Sequence, residues 1–314
     1  MHPETEQDDN APTLPVIPDD LWTEMQRIGP VWGQDIGAHI ARMTEAFSDI
    51  LATAPLADVT RQVDIPYGQH PRQMLDIFLG PGARTSDKAP AVLFVHGGAF
   101  VKGNRNKTPE IYSNVLRYFA TRGLVGVNIG YRLADTATYP GASEDIAKAV
   151  AWVRAQSDTL GIDRDRIFLM AHSAGGAHAA SYAYNRRLHP AEGPGLAGLI
   201  VVSGRVRADV LPDNPNAAKV VAYYGPDPAV LDEASAVTHV SQDSIATFVA
   251  WAEFENPLID LHCAELVHAL AQAKRRSPPV VWLRGHNHTS AIAHINTADE
   301  RLAQEILAFI ANPR

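Results

Sequence analysis

The sequence predicts an α/β fold built on a mostly parallel sheet, and three observations predict it. Six short, continuous apolar runs, at residues 91–95, 124–129, 167–170, 199–202, 247–251 and 280–283, suit strands covered on both faces. Helical stretches lie between and after them, at 110–122, 143–157, 174–187, 259–275 and 298–311, so strand and helix alternate as in a parallel sheet with crossover helices. The chain has 314 residues, 46% apolar and 20% charged, a globular composition long enough for one large core.

The elements follow in order. Residues 1–20 hold Pro3, Pro12, Pro15 and Pro18 and six acidic residues without a Lys or Arg, and a mobile acidic tail is expected there. Residues 21–57 place Leu21, Met25 and Ile28, then Ile36, Ile40, Met43, Phe47 and Leu51, at helical spacing. Gly29-Pro30 breaks this stretch into two helices, expected to form an N-terminal cap. Residues 58–314 then form the α/β domain. Its first strands, at 60–67 and 73–79, alternate apolar and polar residues around a turn at 68–72. Residues 205–241 interrupt the rhythm with Pro212, Pro215, Pro226 and Pro228, and a stretch this long is expected to be a lid or pocket wall.

Charge and cysteine usage exclude several function classes. The formal net charge is −8, most of it in the tail, and no basic run offers a footprint for nucleic acid. The single cysteine, Cys263, allows no intrachain disulfide and reads as a packed helical residue. No run approaches 18 apolar residues, so no membrane span is expected. The N-terminus lacks the basic and apolar regions of a secretory leader, which points to a cytoplasmic protein.

The chemistry starts at residues 167–176, where an apolar strand runs into Ala171-His172-Ser173-Ala174-Gly175-Gly176 and then a helix. Ser173 sits two residues from a small residue on each side, a relaxed G-x-S-x-G elbow. Strand and helix backbones come too close there for larger side chains. The following helix would lend its positive end, and the Ala174 amide an oxyanion donor. A second strand ends in His96-Gly97-Gly98-Ala99-Phe100, whose paired glycines can turn the amides of Gly97 and Gly98 toward one point. Neither G-x-G-x-x-G nor a following G-K-[ST] occurs, so a phosphate loop is disfavoured.

HGGAF (96–100), GYRLA (130–134), YPGASEDIAKAVAWV (139–153) and GIDRDRIFLMAHSAGG (161–176) together resemble the hormone-sensitive-lipase-like small carboxylesterases and their arylformamidase and feruloyl-esterase-like relatives. The resemblance covers residues 55–312 and implies the α/β-hydrolase fold, a Ser–acid–His order along the chain and no cofactor. Ala99 stands where the family has the third glycine of HGGG, and Ala171 where it has the first glycine of the elbow. The family's G-x-x-H-x-S pattern falls on Gly285, His288 and Ser290, making His288 the expected base, with His286 as its competitor and His294 inside the next helix. The acid lies in Ala252-Glu253-Phe254-Glu255-Asn256-Pro257. Counted from Ala252-Glu253, the family's aspartate falls on Glu255; counted back from Pro257, it falls on Asn256, which carries no charge. Glu255 is the expected acid, with Asp260 as the alternative.

Three histidines at 286, 288 and 294 raise the question of a metal. No H-E-x-x-H occurs and the remaining ten histidines show no ligand spacing, so none is expected. Asp145 reads as structural, and Phe100, His172, Tyr223 and Tyr224 as candidate pocket residues. The expected activity is hydrolysis of small or short-acyl carboxylic esters through an acyl-enzyme. The alternatives are an amidase, formamidase or lactonase on the same triad, or a binding protein that keeps the fold. The N-terminal helices are expected either to close over the pocket or to mediate a homodimer.

Overall fold

The computed structural model describes residues 13–55, 58–81 and 88–314. Two N-terminal helices, α1 (Asp19–Ile28) and α2 (Ile36–Ala52), flank a 3-10 segment, Gly29–Gln34. The helix breaks where Pro30 enters, because proline cannot donate the bond that would continue it. Eight strands follow: β1 (Thr60–Pro66), β2 (Met74–Leu79), β3 (Ala89–Val95), β4 (Val125–Ile129), β5 (Ile162–His172), β6 (Gly198–Val202), β7 (Ala246–Phe254) and β8 (Val280–Asn287). They form one sheet in the order β1-β2-β4-β3-β5-β6-β7-β8. β2 runs antiparallel to both β1 and β4, and every other pairing is parallel.

Between the strands lie α3 (Ser113–Ala120), α4 (Gly141–Ala155), the short α5 (Ser157–Leu160), α6 (Ala174–Tyr184), α7 (Ala217–Tyr224), α8 (Pro228–Ala234), α9 (Ile259–Lys274), the single turn α10 (Ser290–Ala293) and α11 (Arg301–Ala311). Alternate residues of each strand face opposite layers. On β3, Ala91, Leu93 and Val95 join the core under α4, α6 and α9, while Val92 and Phe94 join the core shared with α2, α3 and α11. β5 divides the same way, with Leu169 on one side and Phe168 and Met170 on the other. That is why the strands read as unbroken apolar runs.

Of the stretch expected to be a mobile tail, residues 1–12 lie outside the described residues, and 13–20 are held in place. Ile17 is buried, the Pro15 carbonyl accepts from the Ala298 amide at 2.9 Å, and Asp19 and Asp20 open α1. The 205–241 stretch folds into α7, α8 and a 3-10 turn (Ala236–His239), with Val220, Tyr223, Leu231 and Val237 buried in the α6-side core. No helix of the described residues is long and apolar enough to cross a membrane.

Candidate active site

The carboxyl ends of β3, β5, β6, β7 and β8 converge on one place, where the chemistry of a parallel sheet collects. β5 delivers Ser173 between strand and α6 at φ 56°, ψ −129°, a conformation that costs an L-residue about 1–3 kcal/mol. The small neighbours have direct causes. A Cβ on Gly175 would lie 2.4 Å from the Val95 carbonyl oxygen, and one on Gly176 would lie 2.8 Å from the Gly204 Cα. The turn is tied down from behind, since the Ser173 carbonyl accepts from Gly176 N at 2.9 Å and Arg205 N at 3.0 Å.

A continuous line of hydrogen bonds runs from that hydroxyl. Ser173 Oγ lies 3.0 Å from His288 Nε2, and His288 Nδ1 lies 2.6 Å from Glu255 Oε2. Glu255 is itself held: its Oε1 accepts from Ser203 Oγ at 2.5 Å and from the Ala252 amide at 2.8 Å. The His288 backbone amide donates to the Phe254 carbonyl at 3.0 Å, bringing the histidine loop against the acid loop. With its carboxylate oxygens engaged, Glu255 fixes the tautomer in which His288 carries its proton on Nδ1 and offers a lone pair at Nε2.

The structure brings Ser173, His288 and Glu255 together and leaves their competitors elsewhere. Asp260 is exposed in the first turn of α9, where an acid complements the helix dipole. Asn256 turns away and accepts from the buried Trp32 indole at 2.8 Å. His286 points to Asp299 and Ser290 rather than to Ser173. His294 caps the one-turn α10 instead of lying within a longer helix. Asp145 receives Arg132 and Gln73, joining β4, α4 and the β1–β2 turn.

Opposite the hydroxyl, the loop after β3 presents Gly97 and Gly98. A Cβ on Gly97 would meet Ser173 Cβ at 2.8 Å, so this backbone lies against the serine. Gly98 has φ +145°, and a Cβ there would lie 1.8 Å from the Lys102 carbonyl oxygen, so only glycine fits. Among the described residues, the amides of Gly98 and Ala174 show no hydrogen bond to a backbone acceptor, whereas the Gly97 amide, expected to face the serine, is turned to the Tyr112 hydroxyl. Two donors are thus left free near the hydroxyl, at the positive end of α6. Ala99 and Phe100 take φ 50° and 71°, so this chain holds a left-handed turn with alanine where its resemblance implies glycine.

The four candidate pocket residues are all buried. Phe100 stacks on Tyr223 with centroids 5.3 Å apart and meets Tyr224 edge-on at 5.4 Å, forming an aromatic wall behind the glycine loop. His172 donates from Nε2 to the His288 carbonyl at 3.0 Å, holding the backbone of the histidine loop. Burial drives the His172 pKa well below its ordinary value, so this neighbour stays neutral.

Sequence reasoning missed the supports. Ser203, the Trp32–Asn256 bond, Gln26 donating to the Gly285 carbonyl at 3.1 Å and Glu253 accepting from the Gly285 amide at 2.7 Å carry no motif. Each joins residues far apart in the chain, and no local spacing announces them.

The BD-FAE family model matches residues 75–294 of the chain. Esterase LipC of Mycobacterium tuberculosis is 34% identical over 161 residues, covering 51% of this chain and 35% of LipC. The chain thus spans about a third of the length of that relative. An esterase from Pyrobaculum calidifontis superposes with a TM-score of 0.69 at 23% identity, over 94% of this chain and 98% of that one. Esterase B of Lactobacillus rhamnosis superposes with a TM-score of 0.70 at 20% identity, over 93% and 96%. These likenesses show the α/β-hydrolase fold.

Proposed function

The chain belongs to the BD-FAE family, and from that premise we propose that it is a serine carboxylesterase acting on small, short-acyl esters. One observation carries this reading: an unbroken Ser173–His288–Glu255 hydrogen-bond line beside the free amides of Gly98 and Ala174. In this reading Ser173 Oγ attacks the ester carbonyl while His288 Nε2 accepts its proton. Glu255 holds the ring and stabilises the imidazolium. The amides of Gly98 and Ala174 receive the oxyanion, each worth on the order of 10²–10³ in rate. The imidazolium then protonates the leaving alcohol, and water, activated by the same ring, releases the acid.

The choice of ester over amide or lactone rests on the relatives, which are named esterases. Short acyl groups are favoured by the buried aromatic wall of Phe100, Tyr223 and Tyr224 behind the glycine loop. We read α1 and the 3-10 segment as a brace for the site rather than a dimer contact, because Trp32 and Gln26 bond to the loops that carry Glu255 and His288. The 205–241 stretch is read as the opposite wall. The lone, buried Cys263 supports a cytoplasmic protein.

Initial rates on p-nitrophenyl butyrate against the matching p-nitroanilide test the reading. Fast ester turnover that vanishes in Ser173→Ala is expected, with Ser173-dependent labelling by a fluorophosphonate. Turnover that survives in Ser173→Ala would overturn it.

A further inference from the structure

Behind the His288 loop lies a second cluster that the esterase reading does not use. One imidazole nitrogen each of His286 and His294 and a carboxylate oxygen of Asp299 all lie within 4.8 Å of one another. The residues stand at the end of β8, the end of α10 and just before α11. Both histidines are fully buried, and the Asp299 side chain is 12% exposed.

The surrounding hydrogen bonds show which ring nitrogens are already engaged. His294 Nδ1 donates to the Ser290 carbonyl at 2.7 Å, which leaves Nε2 with a lone pair. That Nε2 is buried and has no partner. His286 Nδ1 lies 3.1 Å from Ser290 Oγ, which can give its own proton to the Asn287 carbonyl at 3.3 Å and accept from the ring. His286 Nε2 lies 3.1 Å from Asp299 Oδ2 and 3.0 Å from Arg301 Nη2; with its proton on Nδ1 it accepts from Arg301, and with its proton on Nε2 it donates to Asp299. A buried imidazole nitrogen without a partner therefore stands on a residue clustered with a His286–Asp299 pair that a metal ion can bridge once both rings are neutral.

The only cation among the described residues that reaches them is Arg301. Its Nη2 donates to Asp299 Oδ2 at 2.9 Å and to His286 Nε2 at 3.0 Å, satisfying two of the three acceptors. His294 Nε2 gets nothing. We propose that His286, His294 and Asp299 form a binding site for one divalent transition-metal ion of the zinc class, which displaces the half-exposed Arg301 guanidinium. Two imidazoles and a carboxylate are a first-row-metal donor set, and bonds of about 2.0–2.2 Å place neighbouring ligands about 3.3 Å apart, close to the 3.1 Å seen here. Each imidazole holds its other nitrogen on Ser290, the outer support that metal-binding histidines require. Solvent takes the fourth position. The ion ties β8, α10 and the start of α11 together around the segment carrying His288, so it acts as a clamp on that loop and enters no step of the ester chemistry.

The test uses full-length, tag-free protein stripped by dialysis against EDTA. It is titrated with ZnCl2 against a chromophoric chelator, with CoCl2 as a spectroscopic probe and elemental analysis for stoichiometry. One equivalent of Zn2+ is expected, with Co2+ giving the visible bands of a low-symmetry four-coordinate site. His294→Gln and Asp299→Asn should weaken binding by at least the 10–100-fold that loss of even an outer support costs, on the order of 10². Arg301→Ala should tighten it by up to about fivefold, the worth of a surface ion pair. Equal Zn2+ affinity in wild type and His294→Gln, or weaker binding in Arg301→Ala, overturns the site. Should His294→Gln fail to fold, Asp299→Asn and Arg301→Ala decide on their own. Metal content is read independently of turnover, so failure here leaves the Ser173 reading standing.

Discussion

Replacing Glu255 by glutamine probes the site at its most specific point. The carboxylate accepts on both oxygens: His288 Nδ1 at 2.6 Å on Oε2, Ser203 Oγ at 2.5 Å and the Ala252 amide at 2.8 Å on Oε1. A glutamine amide has one acceptor side and one donor side. With its oxygen toward Ala252, its NH2 faces His288 Nδ1. The ring must then carry its proton on Nε2, where it cannot accept from Ser173. With its oxygen toward His288, its NH2 meets the Ala252 N–H, and a buried donor is left unmet at about 1–3 kcal/mol. Loss of the tautomer alone is worth roughly 10⁴ in kcat for a triad of this kind, or about 5 kcal/mol at 1.36 kcal/mol per decade. Initial rates on p-nitrophenyl butyrate should therefore fall by roughly 10³–10⁴ in Glu255→Gln, and fluorophosphonate labelling should slow in parallel, while circular dichroism keeps the wild-type fold. Adding Asn256→Asp to that variant should restore little, because the side chain at this position is turned toward Trp32. A Glu255→Gln enzyme retaining a tenth of wild-type kcat/KM would refute the assignment, as would recovery of activity on adding Asn256→Asp.

Other outcomes follow from the same geometry. Ser173→Gly should abolish turnover yet raise thermal stability above Ser173→Ala by about 1 kcal/mol, since glycine adopts φ 56° without the strain that alanine bears there; equal melting points would remove the strain argument. Gly98→Ala should cost more than about 10² in kcat, because a Cβ placed 1.8 Å from the Lys102 carbonyl oxygen must move a proposed oxyanion donor. Trp32→Phe leaves the buried Asn256 oxygen without its donor, and should destabilise the protein by about 1–3 kcal/mol in urea unfolding. Burial lowers His96 and His178 to about 3, so both stay neutral in the folded protein while the unfolded chain takes up protons below about 6.5. Their contribution to stability is intact above 6.5 and falls as pH drops, by about 2 kcal/mol for each histidine between pH 8 and pH 5; melting points unchanged across that range would contradict it.

The sheet and the elbow were legible because their causes are local. A strand buried on both faces must be apolar throughout, as 91–95 and 199–202 are, and a serine between crowded backbones must have small neighbours. Ser173, Gly97 and Gly98 could therefore be picked out along the chain. The limits of the elements were less legible: β5 begins at Ile162 and β8 runs to Asn287, past the apolar residues, because pairing with neighbouring strands continues where side-chain pattern stops.

Glu255 and Asn256 were separated only in three dimensions. The register between β7 and β8 shifts between Ala252 and Phe254, just ahead of the two residues, and of these Glu255 reaches His288 while Asn256 reaches Trp32. Aligned motifs place a residue in the chain but do not orient it across a bulge. Of the cluster of His286, His294 and Asp299, the two histidines raised the question of a metal in the sequence but were set aside for want of a ligand motif, and Asp299 carried no signal; the three come together through the end of β8, the one-turn α10 and the start of α11. What the sequence determined alone was every feature enforced by contact between near neighbours: helix break, buried strands, elbow and glycine loop. What the tertiary structure decided was which distant polar groups share a hydrogen bond, because direction and reach across loops depend on how the whole sheet packs.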